Sequence, residues 1–210
     1  MIRVSIAQAE GLDAFDTTAQ VIQACRQQLE GQSPSAGILY AGAGFDHQVI
    51  LDSMHRAFPG MRLIGCTTAG TFSTAGGYSD DAISLMAFAS DTIEILAGLG
   101  RGLSNGYRAA ARAALNMANE GREQLARVCL TLPDLIHHAG GDILGALSRE
   151  LGDDCGVFGG CPAAMDGAGQ AIRQFFGREV LEDALPLLLF CGPVDYRYFV
   201  ANSWKTIGPR

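Results

Sequence analysis

The chain has 210 residues, which is enough for one sizeable hydrophobic core or two small ones. Its net charge of −7 at pH 7 and its isoelectric point near 5.0 argue against nucleic acid or an anionic membrane as a partner, because both are bound through basic surfaces. The N-terminus does not read as a secretory signal, and the longest apolar run, residues 185–191, is far shorter than the roughly 20 residues that a bilayer span needs. We therefore expect a cytoplasmic protein.

In the first half, hydrophobic spacing predicts alternating strands and helices. Asp16 or Thr17 is the expected N-cap of the first helix, and a Pro-Gly pair ends the second. The loop at residues 67–81 is predicted to carry no strand. The predicted strands lie at 3–8, 37–41, 61–66, 82–89 and 92–99, and the predicted helices lie near 17–29 and at 47–58.

The second half repeats this order. A helix from Ser104 to about Leu125 and a helix over 142–151 are predicted, with a hairpin at 170–181 that we interpret as an insertion. The predicted strands are 127–132, 155–159, 184–191 and 196–201, the last of which opens a third unit. The sequence thus predicts an α/β fold with an internal duplication of a β-α-β-α-β-β unit, as mixed sheets flanked by helices. Repeat 1 spans 2–92, repeat 2 spans 93–193, and residues 194–210 lead toward a further, C-terminal domain.

Two apolar runs end in a Gly-Cys pair followed by small residues, IGCTTAG at 64–70 and GVFGGCPAAMDGAG at 156–169. Glycine lets a strand end turn sharply or approach a ligand, and loops after strands of α/β sheets often bind ligands. We predict that threonine hydroxyls and backbone N–H groups there bind a small polar ligand. The alternative is that the two loops only pack the halves together. The predicted ligand-binding residues are Cys66, Thr67, Thr68, Gly70, Gly159, Gly160 and Cys161.

Catalytic and metal chemistry are weaker interpretations. The six cysteines lack a metal-ligand spacing, and we expect most of them to be reduced and buried, with Cys66 and Cys161 neither oxidised nor metal-bound. Either of these two could pair with His47, His55, His137 or His138, but no nucleophile signature is present. GAGF at 42–45 is an incomplete dinucleotide motif. We predict that the chain is not an enzyme.

Three segments resemble the FIST N-terminal domain, a sensory module of bacterial signal-transduction proteins. They are PGMRLIGCTTAGTFSTAGGYSDDAISLMAF at 59–88, GVFGGCPAAMDG at 156–167 and SWKTIGP at 203–209. The resemblance implies a small-ligand sensor, for ligands such as amino acids, followed by a FIST C-terminal domain and coupled to a histidine kinase, cyclase or chemotaxis output. Some members of the family look like haem-dependent gas sensors.

The chain departs from the family pattern in two places. LTLPDLIHHAGG at 130–141 stands where many members carry Asp-Gly after the strand, and residues 201–203 replace a His-Gly pair before the tryptophan. A function that needs that histidine is therefore in doubt. We expect no cofactor; haem is the alternative, with His137 and His138 as axial-ligand candidates by exclusion only. A protein-interaction module without a ligand is the other alternative.

Overall fold

The computed structural model describes residues 1–119, 125–135, 140–164 and 172–199. Two β-sheets pack face to face, and a pair of helices covers the outer face of each sheet. Apolar side chains alternate with residues of the opposite face along the strands, so each sheet has an inner face toward the other sheet and an outer face toward its helices. The α/β class with mixed sheets and flanking helices is confirmed.

The first sheet has six strands in the order β1-β6-β2-β3-β10-β11. Only β2 and β3 are parallel; every other neighbouring pair is antiparallel. The strands are β1 (Ile2–Glu10), β2 (Ala36–Gly42), β3 (Arg62–Thr68), β6 (Ala82–Ser90), β10 (Gln174–Phe176) and β11 (Glu179–Leu181). The predicted hairpin is therefore not a detached insertion, because its two strands form the edge of the first sheet.

The second sheet has the order β7-β12-β8-β9, with only the last pair parallel. Its strands are β7 (Glu94–Arg101), β8 (Ala126–Thr131), β9 (Gly156–Gly159) and β12 (Ala184–Cys191). This order, with its directions, matches β1-β6-β2-β3 in the first sheet. The internal duplication stays a prediction, and the shared strand order is the observation that supports it.

Helices α1 (Ala14–Gln28) and α2 (His47–Ala57) cover the first sheet, and α3 (Tyr107–Ala118) and α4 (Gly140–Leu151) cover the second. The described part of the chain contains no helix that is long and apolar enough to cross a bilayer. Between the sheets, Phe88 and Phe190 meet edge to face with ring centroids 5.1 Å apart. One main hydrophobic core thus lies between each sheet and its helices, and another lies between the two sheets.

Three predicted boundaries are wrong. The N-cap of α1 is Asp13, whose carboxylate accepts a hydrogen bond from the Asp16 N–H at 2.8 Å, so the helix begins earlier than predicted. Helix α3 ends at Ala118, and Leu125 is exposed and not helical. Residues 196–199 form no strand; instead Tyr196 and Tyr198 pack against Phe158, and the rest of that predicted strand lies outside the described residues.

The sequence analysis missed a short hairpin. Strands β4 (Thr71–Ser73) and β5 (Gly77–Ser79) form a separate two-stranded sheet directly after β3. Ser73 Oγ accepts hydrogen bonds from the N–H groups of Ala75 and Gly76, which stabilises the turn between the two strands. This hairpin lies beside the inner face of the first sheet and shapes the site described next.

Candidate functional site

A row of polar side chains crosses the inner face of the first sheet at one register. Tyr40 pairs with Ser84 on one side and with Cys66 on the other, and the pairing extends to Gln8 and Gln174 at the two ends. We call these residues the polar row: Gln8, Ser84, Tyr40, Cys66 and Gln174. Two residues away along the same strands, the corresponding row is apolar: Ile6, Met86, Ile38, Ile64 and Phe176.

A cavity of about 400 Å³ opens over the Ser84 and Tyr40 side of the polar row. The chain after β3 forms one wall, because it turns at Gly70 into β4. A Cβ at Gly70 would lie 3.0 Å from the Tyr78 hydroxyl, so a side chain at residue 70 would crowd this wall. The lining residues are Ile6, Tyr40, Thr68, Gly70, Thr71, Phe72, Ser73, Thr74, Ser84 and Met86. The volume is within the range of small-molecule sites.

The other side of the polar row is closed. Cys66 is 1% exposed and Gln174 is fully buried. Neither Oε1 nor Nε2 of Gln174 has a hydrogen-bond partner among the described residues. At the far end, Gln8 donates from Nε2 to the Gly77 carbonyl at 3.3 Å, while its buried Oε1 also lacks a described partner. The row thus contains polar groups that the described structure does not satisfy.

Burial keeps two groups of the polar row protonated at neutral pH. Burial raises the pKa of the Tyr40 hydroxyl to about 12, and the neighbouring Cys66 adds to the rise. Burial likewise raises the pKa of the Cys66 thiol to about 12, with a smaller contribution from Cys161. Because both groups keep their protons, Tyr40 can donate a hydrogen bond into the cavity and Cys66 is a poor nucleophile.

The two predicted threonines have structural contacts of their own. Thr67 is buried, and its hydroxyl oxygen accepts a hydrogen bond from the Arg173 N–H at 3.0 Å. Thr68 lines the cavity, but its hydroxyl donates to the Gly70 carbonyl at 2.6 Å. Both hydroxyls therefore connect backbone segments.

The two predicted loops meet. The Ala163 N–H donates to the Thr67 carbonyl at 3.0 Å, which ties the second loop to the end of β3. Cys161 is exposed and close enough to Cys66 to affect its pKa. All six cysteines are free thiols, five of them buried. Gly159, Gly160 and Cys161 do not line the cavity; Gly159 ends β9, and Gly160 and Cys161 begin the loop beside the closed side of the polar row.

The two Gly-Cys pairs are not equivalent in register. Gly65 pairs with Leu39, and a Cβ on Gly65 would lie 2.3 Å from the Leu39 carbonyl oxygen. In the second sheet the same close approach occurs at Gly159, where a Cβ would lie 2.0 Å from the Thr131 carbonyl oxygen. Gly159 is thus the counterpart of Gly65, and Cys66 corresponds to Gly160 rather than to Cys161.

The described histidines do not form a catalytic pair with Cys66. The His47 ring lies 5.1 Å from the Phe175 ring on the outer face, and its Nε2 contacts the Gly42 carbonyl at 3.0 Å. His47 is half-buried, and burial lowers the pKa of its ring. His55 is exposed on α2. Cys66 faces the other sheet, so the first sheet separates it from both rings; His137 and His138 lie outside the described residues.

The cavity lining does not fit haem. Haem iron needs an axial ligand, most often histidine or a thiolate, and the described residues that line the cavity include neither; Met86 lines the cavity, but methionine ligates haem iron together with an axial histidine, which the described lining lacks. Tyr40 could act as a ligand only as a tyrosinate, which its raised pKa disfavours. Among the described residues, no group of three or more His, Cys, Asp or Glu side chains could hold a metal ion.

A second, larger groove of about 510 Å³ lies on the outer surface between α1 and α2. Its two arginines already have partners: Arg26 donates to the Ala57 carbonyl at 3.1 Å, and Arg56 donates to the Ser53 hydroxyl at 3.0 Å. The smaller cavity is the better ligand-site candidate, because it adjoins unsatisfied polar side chains and the predicted Thr68 loop.

Among solved structures, the crystal structure of cyanuric acid hydrolase from A. caulinodans is similar, with a TM-score of 0.44 and 9% identity over 91% of this chain and 67% of that chain. The comparison with curated proteins gives no significant match. The family model for the FIST N domain matches residues 35–210, which confirms the resemblance of the three sequence segments. The chain therefore belongs to the FIST N domain family, whose members are sensory domains of signalling proteins.

Proposed function

We propose that this chain is a non-enzymatic sensory domain of a bacterial signal-transduction protein and that it binds a small polar metabolite in the cavity beside the polar row. The observation that carries the proposal is a cavity of about 400 Å³ lined by the polar side chains of Tyr40 and Ser84 together with apolar ones such as Met86. Small-molecule sites commonly combine a mostly apolar wall with a few polar groups that orient the ligand. Amino acids, which the family resemblance names, and uncharged polar compounds are the two classes to test side by side.

The state of Cys66 supports a role in binding rather than catalysis. A nucleophilic cysteine needs a lowered pKa and a nearby base, whereas burial raises the pKa of this thiol to about 12. The His47 ring packs against Phe175 in the outer core, on the other side of the first sheet from Cys66. A group that keeps its proton under these conditions can donate or accept a weak hydrogen bond but does not attack a substrate.

The proposed partners follow from the family. A FIST C-terminal domain, and through it a histidine kinase, cyclase or chemotaxis output module, would read the state of the ligand site. A cytoplasmic location is part of this proposal, and the acidic net charge of −7 supports the absence of nucleic acid and of anionic membrane surfaces among the partners.

One observation favours the second candidate, a structural interaction module without a ligand. The Thr68 hydroxyl is bonded to the Gly70 backbone, both to its carbonyl at 2.6 Å and from its N–H at 3.3 Å. The Ala163–Thr67 hydrogen bond also joins the two loops directly. These contacts are what a loop that only holds the two halves together would need.

A thermal-shift screen of amino acids and other small polar metabolites, followed by calorimetry, tests the proposal. A ligand at 100 times its Kd adds about 2.7 kcal/mol to the stability. Tyr40→Phe removes one hydroxyl from the cavity and should weaken binding by roughly 0.5–1.5 kcal/mol, or about 2- to 10-fold in Kd. Tyr107→Phe, on the outer face of the second sheet, is the matched control and should bind normally. Equal affinity of wild type and Tyr40→Phe for every compound that binds would place the ligand elsewhere.

A further inference from the structure

Gln174 is the most poorly satisfied polar side chain in the described structure. It is fully buried on β10, at the closed end of the polar row, and neither atom of its carboxamide that can form hydrogen bonds has a described partner. A buried amide without partners destabilises the folded state, so an apolar residue of similar size would pack there at lower cost. Side chains that break this rule tend to be found at functional sites.

The geometry connects this amide to the cavity. Gln174 pairs with Cys66, and Cys66 pairs with Tyr40, which lines the cavity. Neighbouring strands lie about 4.8 Å apart, so the backbone of Gln174 is about 10 Å from that of Tyr40 along the row. A molecule of ordinary metabolite size spans that distance. Because Gln174 and Cys66 are buried, a ligand reaches Gln174 only when this end of the row opens, and the loop at residues 160–164 borders it through the Ala163 N–H to Thr67 carbonyl hydrogen bond.

The chemistry of the lining restricts what can enter. None of the described residues that line the cavity carries a charged side chain. A free amino acid or a carboxylate would lose its hydration there without gaining an opposite charge, which is unfavourable. A carboxamide offers one acceptor and two donors, and these pair best with a ligand group that presents a donor next to an acceptor.

We propose that Gln174 binds the ligand of this site, and that the ligand is an uncharged molecule with an amide-like group that pairs with the Gln174 carboxamide. This inference rests on the proposed function and narrows its ligand class from polar metabolites in general to neutral amide-type compounds. The Gln174 carboxamide forms its hydrogen bonds only with the ligand, and in the ligand-free protein it is buried without a described partner. The same substitution that removes this binding energy should therefore stabilise the protein without ligand.

The experiment uses benzamide as the probe and benzoate as its charged isostere. We expect benzamide to bind wild type at least 10-fold more tightly than benzoate does in calorimetry. Gln174→Met should raise the melting temperature of the free protein and weaken benzamide binding at least 10-fold. Gln174→Leu is a second apolar variant with the same expected outcome, and Gln20→Met on the exposed side of α1 is the control that should change neither property.

Three results would overturn the inference. They are a lower melting temperature in both Gln174 variants, equal benzamide affinity in wild type and in the variants, and failure of benzamide to bind at millimolar concentration. The proposed function is tested separately from the role of Gln174. A screened compound that loses affinity in Tyr40→Phe but not in Gln174→Met keeps the sensor and excludes Gln174, whereas a screen without any binding compound removes the sensor itself.

Discussion

The polar row of the first sheet and its counterpart in the second sheet differ in chemistry although their backbones correspond. Leu39 pairs with Gly65 and Leu85, as Thr131 pairs with Gly159 and Leu187. One residue further along each strand, the first sheet carries the polar row from Gln8 to Cys66. The second sheet carries an apolar row: Leu99, Pro186, Leu132 and Gly160.

This difference shows that strand topology alone does not create a site. Leu99 and Leu132 are 4% and 3% exposed, so these side chains are part of a packed interior, whereas Gly160 at the end of the row is exposed. In the first sheet Tyr40 and Ser84, which correspond to Leu132 and Pro186, line a cavity of about 400 Å³. A ligand site therefore needs the polar substitutions and the β4–β5 hairpin that holds the space open beside them, and the second sheet has no such polar row.

The largest expected effect is a difference in alkylation rate between Cys66, on the closed side of the polar row, and Cys161, in the loop beside it. With a pKa of about 12, fewer than about one Cys66 thiol in 10⁴ is ionised at pH 7.5, and the side chain is 1% exposed. Cys161 is exposed. Iodoacetamide should modify Cys161 roughly 1000-fold faster than Cys66, as followed by peptide mass spectrometry. Comparable rates would mean that the closed side of the polar row opens readily to solvent.

The next effect tests the alignment of the two sheets. Gly65→Ala and Gly159→Ala each direct a Cβ against a backbone carbonyl oxygen, at 2.3 and 2.0 Å, and should each lower the free energy of unfolding by about 3 kcal/mol in urea titrations. Gly160→Ala is the control, because a Cβ there meets nothing within 4 Å; its effect should stay within about 0.5 kcal/mol. A tolerated alanine at either residue 65 or residue 159 would break the correspondence.

A smaller effect is expected in the wall of the cavity. Thr68→Val keeps the β-branched shape but removes the hydroxyl that donates to the Gly70 carbonyl, so the ligand-free protein should lose about 1 kcal/mol of stability. Thermal unfolding of the variant checks this, with Thr74→Val in the exposed part of the same loop as the control. An unchanged melting temperature, together with weaker ligand binding, would instead assign the Thr68 hydroxyl to the ligand.

The smallest expected effect is on the pH dependence of stability, which should depend on His47 on the outer face and not on the polar row. Tyr40 and Cys66, with pKa values of about 12, do not titrate between pH 5 and 8. Burial lowers the pKa of His47, although the Gly42 carbonyl partly opposes this, so the unfolded chain binds a proton more readily than the folded one. This contribution to stability is therefore complete above the ordinary pKa of about 6.5 and falls as the pH decreases below it.

Comparison of variants isolates this contribution. His47→Gln should flatten the decrease in stability between pH 7 and pH 5, measured by urea unfolding at each pH, and His55→Gln on the exposed side of α2 should not. An identical pH profile for wild type and His47→Gln would show that the ring accepts a proton as easily in the folded protein as in the unfolded one.

Local sequence patterns predicted the local parts of the fold. The spacing of Ile50 and Met54, with a helix stop at Pro59, predicted α2 almost to the residue, because a helix depends on neighbours three and four positions apart. The start of α1 was misplaced because Asp13 and Asp16 are both good N-caps, and tertiary packing of Ala14 and Thr17 selects the first. The β4–β5 hairpin was missed because its three-residue strands are too short to show alternation.

The candidate site was only partly predictable. The Gly-Cys loop led to Thr68 and Gly70, which line the cavity, since a loop after a strand is a local feature. Tyr40, Ser84 and Gln174 come from three separate strands that meet only through sheet register. A buried glutamine in a short strand has no sequence signature, because its burial depends on what the sheet packs against. Long-range pairing of this kind is what a single sequence specifies least directly.

The β10–β11 hairpin lies in the second half of the sequence but completes the first sheet. This arrangement has a consequence for folding during synthesis. Cys66 pairs with Gln174, so the first sheet gains its fifth and sixth strands only after the ribosome has released most of the second half. Until then β3 is an open edge with unpaired backbone groups, which favours association with other chains. A nascent chain that stalls before residue 174 should therefore depend on chaperones, and the protein should not divide into two halves that fold independently.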